Sequence, residues 1–231
     1  MSNLFLKLKS RLNAAPSSTD MTQGEPWKLL TSFALPVLFS QIFQQLYNTV
    51  DAVIVGRFVG KEALAAVGGS SSQILNLLIG FFTGVTSGAA VIVAQYYGAR
   101  DMEDSSRSVH TAMILAIACG AIMTVVGILT APALLRIMET PEDTMADSIV
   151  YMRWVYMAMI PGMVYNMGSA ILRAVGDSKH PLYFLIACCL INVVLDLLFV
   201  VTFKMGVAGA AIATALSQML SAVMILSLIH I

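Results

Sequence analysis

The sequence predicts an all-α integral membrane protein with six transmembrane helices. Hydrophobic residues make up 58% of the 231 residues, charged residues make up only 11%, and the mean hydropathy is +0.82. An average soluble domain has about 25% charged residues, so this composition is far from that class. Six apolar runs, each near the roughly 20 residues that cross a bilayer, are separated by short charged stretches. Such short connections predict that neighbouring helices are antiparallel and packed together.

The charge and the cysteines exclude several classes of function. The formal net charge is zero, so no basic surface for nucleic acid is expected. The three cysteines, Cys119, Cys188 and Cys189, lie inside apolar runs and lack the spacing of metal ligands. We therefore expect small packing residues there, not disulfides or zinc ligands.

The segment before the first apolar run is predicted to be a cytoplasmic N-terminal tail, residues 1–31. Met1–Leu12 alternates apolar and basic residues, which fits either a disordered tail or a short helix on the membrane surface. No apolar core precedes a cleavage-like site, so it is not a signal peptide. Pro26 suits the start of a helix, with Trp27 at the headgroup level. Residues 32–231 are then predicted to form one transmembrane unit.

The six predicted spans follow one another along this unit. They run over Phe33–Val55, Ala65–Val93, Val109–Ala131, Ser148–Leu172, Pro181–Phe203 and Val207–Ile229. The second span carries Gly80, Gly84 and Gly88 at every fourth position. This small-residue pattern predicts close packing against a neighbouring helix.

The basic residues are unequally divided between the two sides of the membrane. With the N-terminus inside, eight of the thirteen lie on the cytoplasmic side: Lys7, Lys9, Arg11, Lys28, Arg100, Arg107, Arg173 and Lys179. Cytoplasmic loops carry an excess of Lys and Arg, so this division predicts a cytoplasmic N-terminus.

A polar stripe interrupts the first span. Gln44, Asn48 and Asp51 lie at i, i+4 and i+7, so on a helix they share one face. Exposing such groups to lipid costs several kcal/mol. We therefore expect this face to point inward, toward other helices or water.

Two further spans carry polar groups at a comparable depth. Asn192 and Asp196 are four residues apart on the fifth span. At a rise of 1.5 Å per residue, Asp51 and Asp196 lie roughly 27 and 22 Å from the cytoplasmic ends of their spans. Thr214, on the sixth span, lies roughly 10 Å from the outer end. The sequence therefore predicts that Asp51, Asn192, Asp196 and Thr214 converge in one buried place.

The chemistry of this group suits a small cation. Carboxylate, amide and hydroxyl oxygens prefer a hard cation over a transition metal, with Asp51 and Asp196 as the charged ligands. Alternatively, two neighbouring buried carboxylates do not both ionise easily, so one would retain a proton. A purely structural role, in which each aspartate satisfies polar groups of a neighbouring helix, is the remaining alternative. No resident cofactor is expected.

Four stretches of the chain also resemble a known family. They are LYNTVDAVIVGRFVGKEALAAVG (Leu46–Gly68), MVYNMGSAILRAVGDSKHP (Met163–Pro181), INVVLDLLF (Ile191–Phe199) and GVAGAAIATALSQ (Gly206–Gln218). Their order along the chain is similar to that in the multidrug and toxic compound extrusion (MATE) transporters. The resemblance covers nearly all of the chain after residue 25.

The resemblance implies a transporter and no enzymatic activity. MATE proteins have twelve transmembrane helices in two six-helix lobes that rock between outward and inward openings. They are antiporters that export drugs and organic cations in exchange for sodium ions or protons. The family's N-lobe cation site matches Asp51, Asn192, Asp196 and Thr214 here. Its substrate-cavity positions match Gln44 and Asn166, and we assign Asn48, beside Gln44, to the same cavity.

The chain has six spans where the family has twelve. We therefore expect the N-terminal lobe of a longer transporter, with a missing C-terminal lobe as its partner in a bacterial inner membrane. The final residues, Ser227–Ile231, could be foreign to the lobe, and a six-helix chain pairing with itself is an alternative. The sequence does not specify the transported compounds, nor whether sodium or protons drive transport.

Two other functions are alternatives to an antiporter. A flippase for lipid-linked precursors, from the same wider superfamily, would need several basic residues in its cavity, and only Arg153 lies inside a predicted span. An intramembrane aspartyl protease would need a glycine-rich setting around one aspartate, whereas Asp196 stands in VLDLL. Both are weaker predictions than cation-coupled export.

Overall fold

The structure is a computed structural model that describes residues 25–230, and this part of the chain is helical without strands. The helices are α1 (Pro26–Phe58), α2 (Lys61–Gly68), α3 (Ser70–Gly98), α4 (Met102–Ile137), α5 (Glu142–Met157), α6 (Met159–Ala174), α7 (Lys179–Asp196) and α8 (Gly206–His230). Leu197–Thr202 continues α7 with π-helical winding. Most of the predicted tail, at residues 1–24, lies outside the described residues, and α1 begins at Pro26.

The predicted all-α membrane fold is confirmed. Five helical stretches are long and apolar enough to cross a membrane, and α5 with α6 makes a sixth when this bent pair is counted as one span. Large apolar side chains such as Leu77, Leu129 and Val194 are exposed along these helices, as lipid contact requires. Following the predicted orientation, we name the end of the bundle with α2 and the π-helical segment the outer end, and the end with residues 173–181 the cytoplasmic end.

The second predicted span is interrupted, which corrects the continuous helix expected over Ala65–Val93. Helix α2 ends at Gly68 and α3 begins at Ser70. A Cβ atom at Gly69 would lie 2.5 Å from the carbonyl oxygen of Ala65, so only glycine fits this break.

The fourth predicted span is also broken, and Ser148–Leu172 is not one straight helix. Helices α5 and α6 meet at a bend of 50° at Ala158. Pro161 has no N–H to donate to the carbonyl of Met157, and its ring crowds that carbonyl. The proline therefore accounts for the bend.

The fifth predicted span, Pro181–Phe203, changes its winding half-way. Helix α7 ends at Asp196, and beyond it Phe203 N–H donates to the carbonyl of Leu198 at 2.9 Å. This bond spans five residues in place of four, which widens the turn by one residue. Asp196 is thus the last α-helical residue before a π-helical segment.

The helices pack around α6 and α8, and α6 contacts mainly α3, α4 and α8. Helix α4 contacts α3, α5 and α6, while α8 contacts α5, α6 and α7. Helix α1 lies at the edge and contacts mainly α7, with fewer contacts to α2, α8 and the π-helical segment. Within residues 25–230, α1 and α3 do not touch each other, so the side of the bundle between them is open.

The glycine pattern on α3 does not mark a helix contact in this bundle, contrary to the sequence prediction. Gly80, Gly84 and Gly88 are exposed, and no atom lies within 4 Å of a Cβ built at any of them. Close packing occurs instead at Gly127 on α4, where a Cβ would lie 2.3 Å from the ring of Tyr156. That ring is fully buried in the apolar core between α3, α4, α5 and α6.

This contact gives a stability prediction. Gly127→Ala should destabilise the protein by about 1–3 kcal/mol, because the new methyl group overlaps a tyrosine ring that has no free space to move into. Gly84→Ala is the matched control, expected to be neutral or stabilising by at most about 1 kcal/mol because its methyl group meets nothing. Thermal unfolding in detergent, followed by loss of the monodisperse fraction, measures both. Equal midpoints for the two variants would contradict the packing described.

Candidate functional site

The inward face of α1 carries Asp51, as predicted, but it is rotated relative to the predicted stripe. Tyr47, Asp51 and Ile54 are buried at i, i+4 and i+7. Gln44 is half-buried and Asn48 is exposed. Asn48 lies outside the helix contact because α1 packs on α7 through the side that bears Tyr47, so the expectation that Asn48 faces other helices or water stays a prediction.

The second carboxylate comes from α7. Asn192 and Asp196 lie on one face of this helix and are both fully buried, at 0% exposure, while Asp51 is 7% exposed. Because α1 packs on α7, the two aspartates face one another across this helix pair. The spacing of polar residues in the sequence predicted that the α1 face with Asp51 and the α7 face with Asp196 lie close together.

The carboxyl groups of Asp51 and Asp196 interact directly, without a hydrogen bond of normal length between them. One oxygen of Asp51 and both oxygens of Asp196 are buried without any hydrogen-bond partner among the described residues. In that same part of the chain, no Lys, Arg or His forms an ion pair with either aspartate. Burying ionised carboxylates without partners is strongly unfavourable. The pair is therefore suited to take up positive charge.

Hydroxyl groups from three helices surround the carboxylates. The Tyr47 hydroxyl on α1 approaches Thr214 on α8, yet both oxygens lack a bond of normal length. The side chain of Tyr151, on α5, is close enough to interact with Asp51 and Asp196. Thr214 was predicted from its depth, whereas Tyr47 and Tyr151 were missed. Tyr47 lies one turn before Asp51 on the same face, and that spacing could have identified it.

An apolar cluster covers the site on its outer side. Ile54 and Val55 lie one turn beyond Asp51, Val200 lies one turn beyond Asp196, and Val207 and Ala210 precede Thr214. All five are buried together with residues of α2. The carboxylates are thereby shielded from water at the outer end in this conformation.

The unpaired atoms define what the site can bind. Besides the carboxylates, both side-chain polar atoms of Asn192 and the Thr214 hydroxyl lack partners. Residues 25–230 contain no group of three or more His, Cys, Asp or Glu that could hold a metal ion. Oxygen ligands with two acids favour a small hard cation or a shared proton over a transition metal.

The residues predicted for a substrate cavity lie apart from this pair. Asn166, on α6, is exposed, as is Asn48, and Gln44 is half-buried. None of their side chains makes a hydrogen bond within the described part of the chain. Their assignment to a substrate cavity stays a prediction.

Comparison with known proteins then places the chain in a family. A family model described as MatE matches residues 36–198. The chain belongs to the MatE family. This is the family that the four sequence stretches resemble, and the match includes Asp51, Asn192 and Asp196.

Individual MatE relatives match most of this chain but less than half of their own length. "Probable multidrug resistance protein YoeA" of Bacillus subtilis (strain 168) is 34% identical over 195 residues, which are 83% of this chain and 42% of that protein. "Probable multidrug resistance protein YpnP" of the same strain is 32% identical over 199 residues, covering 86% of this chain and 44% of that protein. The chain therefore spans less than half the length of these MatE relatives.

A solved MatE structure shows the same fold. It is described as the outward-facing conformation of a multidrug resistance MATE family transporter of the MOP superfamily. The chain superimposes on it with a TM-score of 0.85 at 28% identity, covering 93% of this chain and 48% of that one. The six-helix bundle thus corresponds to about half of a MatE transporter.

The unpaired acids give a second stability prediction. Asp196→Asn should raise the thermal unfolding midpoint at pH 8 without added salt, by the equivalent of about 1–2 kcal/mol, because an amide removes one of two adjacent buried charges. The gain should shrink as the pH falls, since protonation then neutralises the acids of the parent protein as well. Asp147→Asn, at an exposed position on α5, is the matched control and should leave the midpoint unchanged. A lower midpoint for Asp196→Asn at pH 8 would mean that Asp196 is paired after all.

Proposed function

We propose that this chain is the N-terminal lobe of an antiporter that exports drugs or organic cations in exchange for sodium ions or protons. The observation that carries the proposal is the pair of buried acids, Asp51 and Asp196, which face each other without a cationic partner among residues 25–230. The MatE relatives named as multidrug resistance proteins support drugs as the cargo. Residues 32–231 form the lobe in this proposal, with residues 1–31 as a cytoplasmic tail.

The proposed coupling between cation binding and drug release follows from the contacts that α1 makes with the bundle. Helix α1 contacts the bundle mainly through α7, and Asp51 and Asp196 lie in that contact. A cation bound between the two acids draws α1 and α7 together, whereas its loss leaves two acids that repel each other. Gln44 and Asn48 lie within two turns of Asp51 on α1, so a change in α1 reaches the proposed cavity. Cation binding would thus close the lobe around the site and displace bound drug outward.

The remaining assignments complete the proposal. Asn192 and Thr214 supply neutral oxygens to the coupling ion, and Gln44, Asn48 and Asn166 line the drug cavity. The lobe works beside a second, C-terminal lobe in a bacterial inner membrane, with its N-terminus in the cytoplasm. The relatives' greater length supports a second lobe.

A flippase of lipid-linked precursors is the competing function. The structure corrects one premise, because Arg173 also lies within a helix of the bent span, in the last turn of α6. Arg173 is half-buried and Arg153 is exposed. The two are separated by roughly five helical turns along that span, too far to hold one pyrophosphate together. No observation therefore favours the flippase.

Removing one carboxylate tests the proposed coupling. Asp196→Asn in the full-length protein should abolish export, with expression and membrane insertion intact, because the remaining acid cannot exchange cations alone. Drug resistance of cells and efflux of a fluorescent organic cation are the two measurements. Asp147→Asn, exposed on α5, should export like the parent protein. Undiminished export by Asp196→Asn would exclude the coupling role.

The identity of the coupling ion is a separate experiment. Purified full-length protein in vesicles should accumulate an organic cation when a sodium gradient or a proton gradient is imposed in the antiport direction. Imposing each gradient without the other assigns the ion. Transport that responds to neither gradient would contradict secondary antiport.

A further inference from the structure

A line of polar groups continues from the carboxylates toward the cytoplasmic end, inside the lobe. On α7, Cys188 lies one turn before Asn192, on the face that also carries Asp196. On α8, Thr214, Ser217 and Ser221 lie at i, i+3 and i+7. The Cys188 thiol lies near the Ser221 hydroxyl and 4.0 Å from Met224 Sδ, and the Ser221 hydroxyl donates to the carbonyl of Ser217 at 2.9 Å. Because α7 and α8 are antiparallel, this contact places Ser217 opposite Asn192.

Most polar atoms along this line have no protein partner. Both polar atoms of Asn192, the Ser217 hydroxyl and the Thr214 hydroxyl are buried and unpaired within the described chain. Asn192 and Ser217 are 0% and 3% exposed. Each buried unsatisfied polar group costs about 1–3 kcal/mol. Small apolar side chains at these positions would avoid that cost, so the line is built to contact something polar that enters it.

The line reaches the cytoplasmic end through α6. The Tyr165 side chain lies near Cys188 and Ser169, and its hydroxyl donates to the carbonyl of Pro181, in the first turn of α7, at 3.3 Å. The Ser169 hydroxyl is buried and unpaired among the described residues. We name this line the polar seam, and it consists of Asn192, Ser217, Cys188, Ser221, Tyr165 and Ser169.

The two ends of the lobe interior differ in polarity. Outward of Asp51 and Asp196, the side chains are apolar and buried, whereas inward they are hydroxyl, amide and thiol groups. At the cytoplasmic end, Phe184 and Ile225 pack around the seam, and the charged Arg173 lies close to Tyr165. The seam is therefore closed by apolar contacts and a positive charge in this conformation.

We propose that the polar seam is the route by which the coupling ion passes between the Asp51–Asp196 pair and the cytoplasm, carried by water that the seam holds. The inference rests on the proposed antiport function and adds a path inside the lobe, distinct from the open side between α1 and α3. Neutral groups that both donate and accept hydrogen bonds supply the two to four partners that a buried water needs when the seam opens. The seam contains no carboxylate, so a cation is not trapped there. The positive charge of Arg173 opposes cation entry and limits leakage.

Cys188 allows a direct test, because its thiol lies within the seam. Silver ion is comparable in size to sodium and reacts with a thiol only where an aqueous path admits it, forming an S–Ag bond while the thiol proton passes to water. Full-length protein with Cys188 as its only cysteine is placed in inside-out vesicles, and silver is added on the cytoplasmic side. Protein is then unfolded, and the remaining free thiol is labelled with a maleimide. We expect silver to protect Cys188 from labelling.

Cys189 provides the matched control thiol. It is adjacent in sequence but points about 100° away around α7. With Cys189 as the only cysteine, protection by cytoplasmic silver should be at least about tenfold slower than at Cys188, because no line of unpaired polar groups leads to it. Equal rates at the two cysteines would overturn the proposal.

A pair of variants at Ser221 tests the seam itself. Ser221→Val removes the hydroxyl beside Cys188, whereas Ser221→Thr adds a methyl group of the same bulk and keeps the hydroxyl. The valine variant should slow protection of Cys188 about tenfold and the threonine variant should restore it, since water loses a bonding partner only in the first. Arg173→Gln should accelerate protection by removing the positive charge at the entrance. Slowing by both Ser221 variants alike would show a steric effect and overturn the role of the hydroxyl.

This test separates the two proposals. Silver access needs no transport, so it is measured equally well with Asp196→Asn, which is expected to be inactive. Access retained in that variant, together with loss of export, supports both the coupling acids and the seam. Export that depends on Asp196, with no access to Cys188, would retain the antiporter and reject the seam.

Discussion

The central constraint on the structure is a pair of acids that are buried without a compensating charge among residues 25–230. Asp51 and Asp196 face one another between α1 and α7, under a cover of aliphatic side chains and beside tyrosine and threonine hydroxyls. An ion pair at this place would fix α1 to the bundle permanently. With two acids there, the strength of the contact between α1 and α7 depends on whether positive charge lies between the carboxyl groups. Helix α1 contacts the bundle mainly through this junction, so the proposed coupling cation would act where α1 is attached.

The breaks in the helices place the chemistry beside this junction. The π-helical segment begins directly after Asp196, and the bend between α5 and α6 lies a few residues beyond Tyr151. Irregular backbone at membrane depth is tolerated only where it is buried in protein or lines a water-filled cavity. The bend lies in the span that contributes Tyr151, and the π-helical segment lies in the span that contributes Asp196. The same elements therefore accommodate the polar groups and allow local changes in backbone geometry.

Periodicity and depth were sufficient to predict where the spans lie and that the aspartates are buried. A carboxylate within an apolar run must face the protein interior or water, because exposing it to lipid is costly. Periodicity and depth were insufficient for Tyr47 and Tyr151, since a tyrosine is tolerated at an interface, in a core or in a site. The inward position of Tyr47 in place of Asn48 depends on which side of α1 meets α7, and that is decided by tertiary packing. Likewise, Gly69 breaks a helix and Gly80 does not. A Cβ atom at Gly69 would overlap the Ala65 carbonyl, whereas one at Gly80 would meet no atom within 4 Å.

The widened turn after Asp196 has a consequence for the outer rim of the bundle. One surplus residue offsets the side chains that follow the π-helical segment by about 100° from a regular α-helix. Reverting to regular winding would rotate the rim while Asn192 and Asp196 stay where they are. The fifth span thus combines an α-helical segment that ends at Asp196 with a π-helical segment whose winding sets the direction of the side chains at the outer rim.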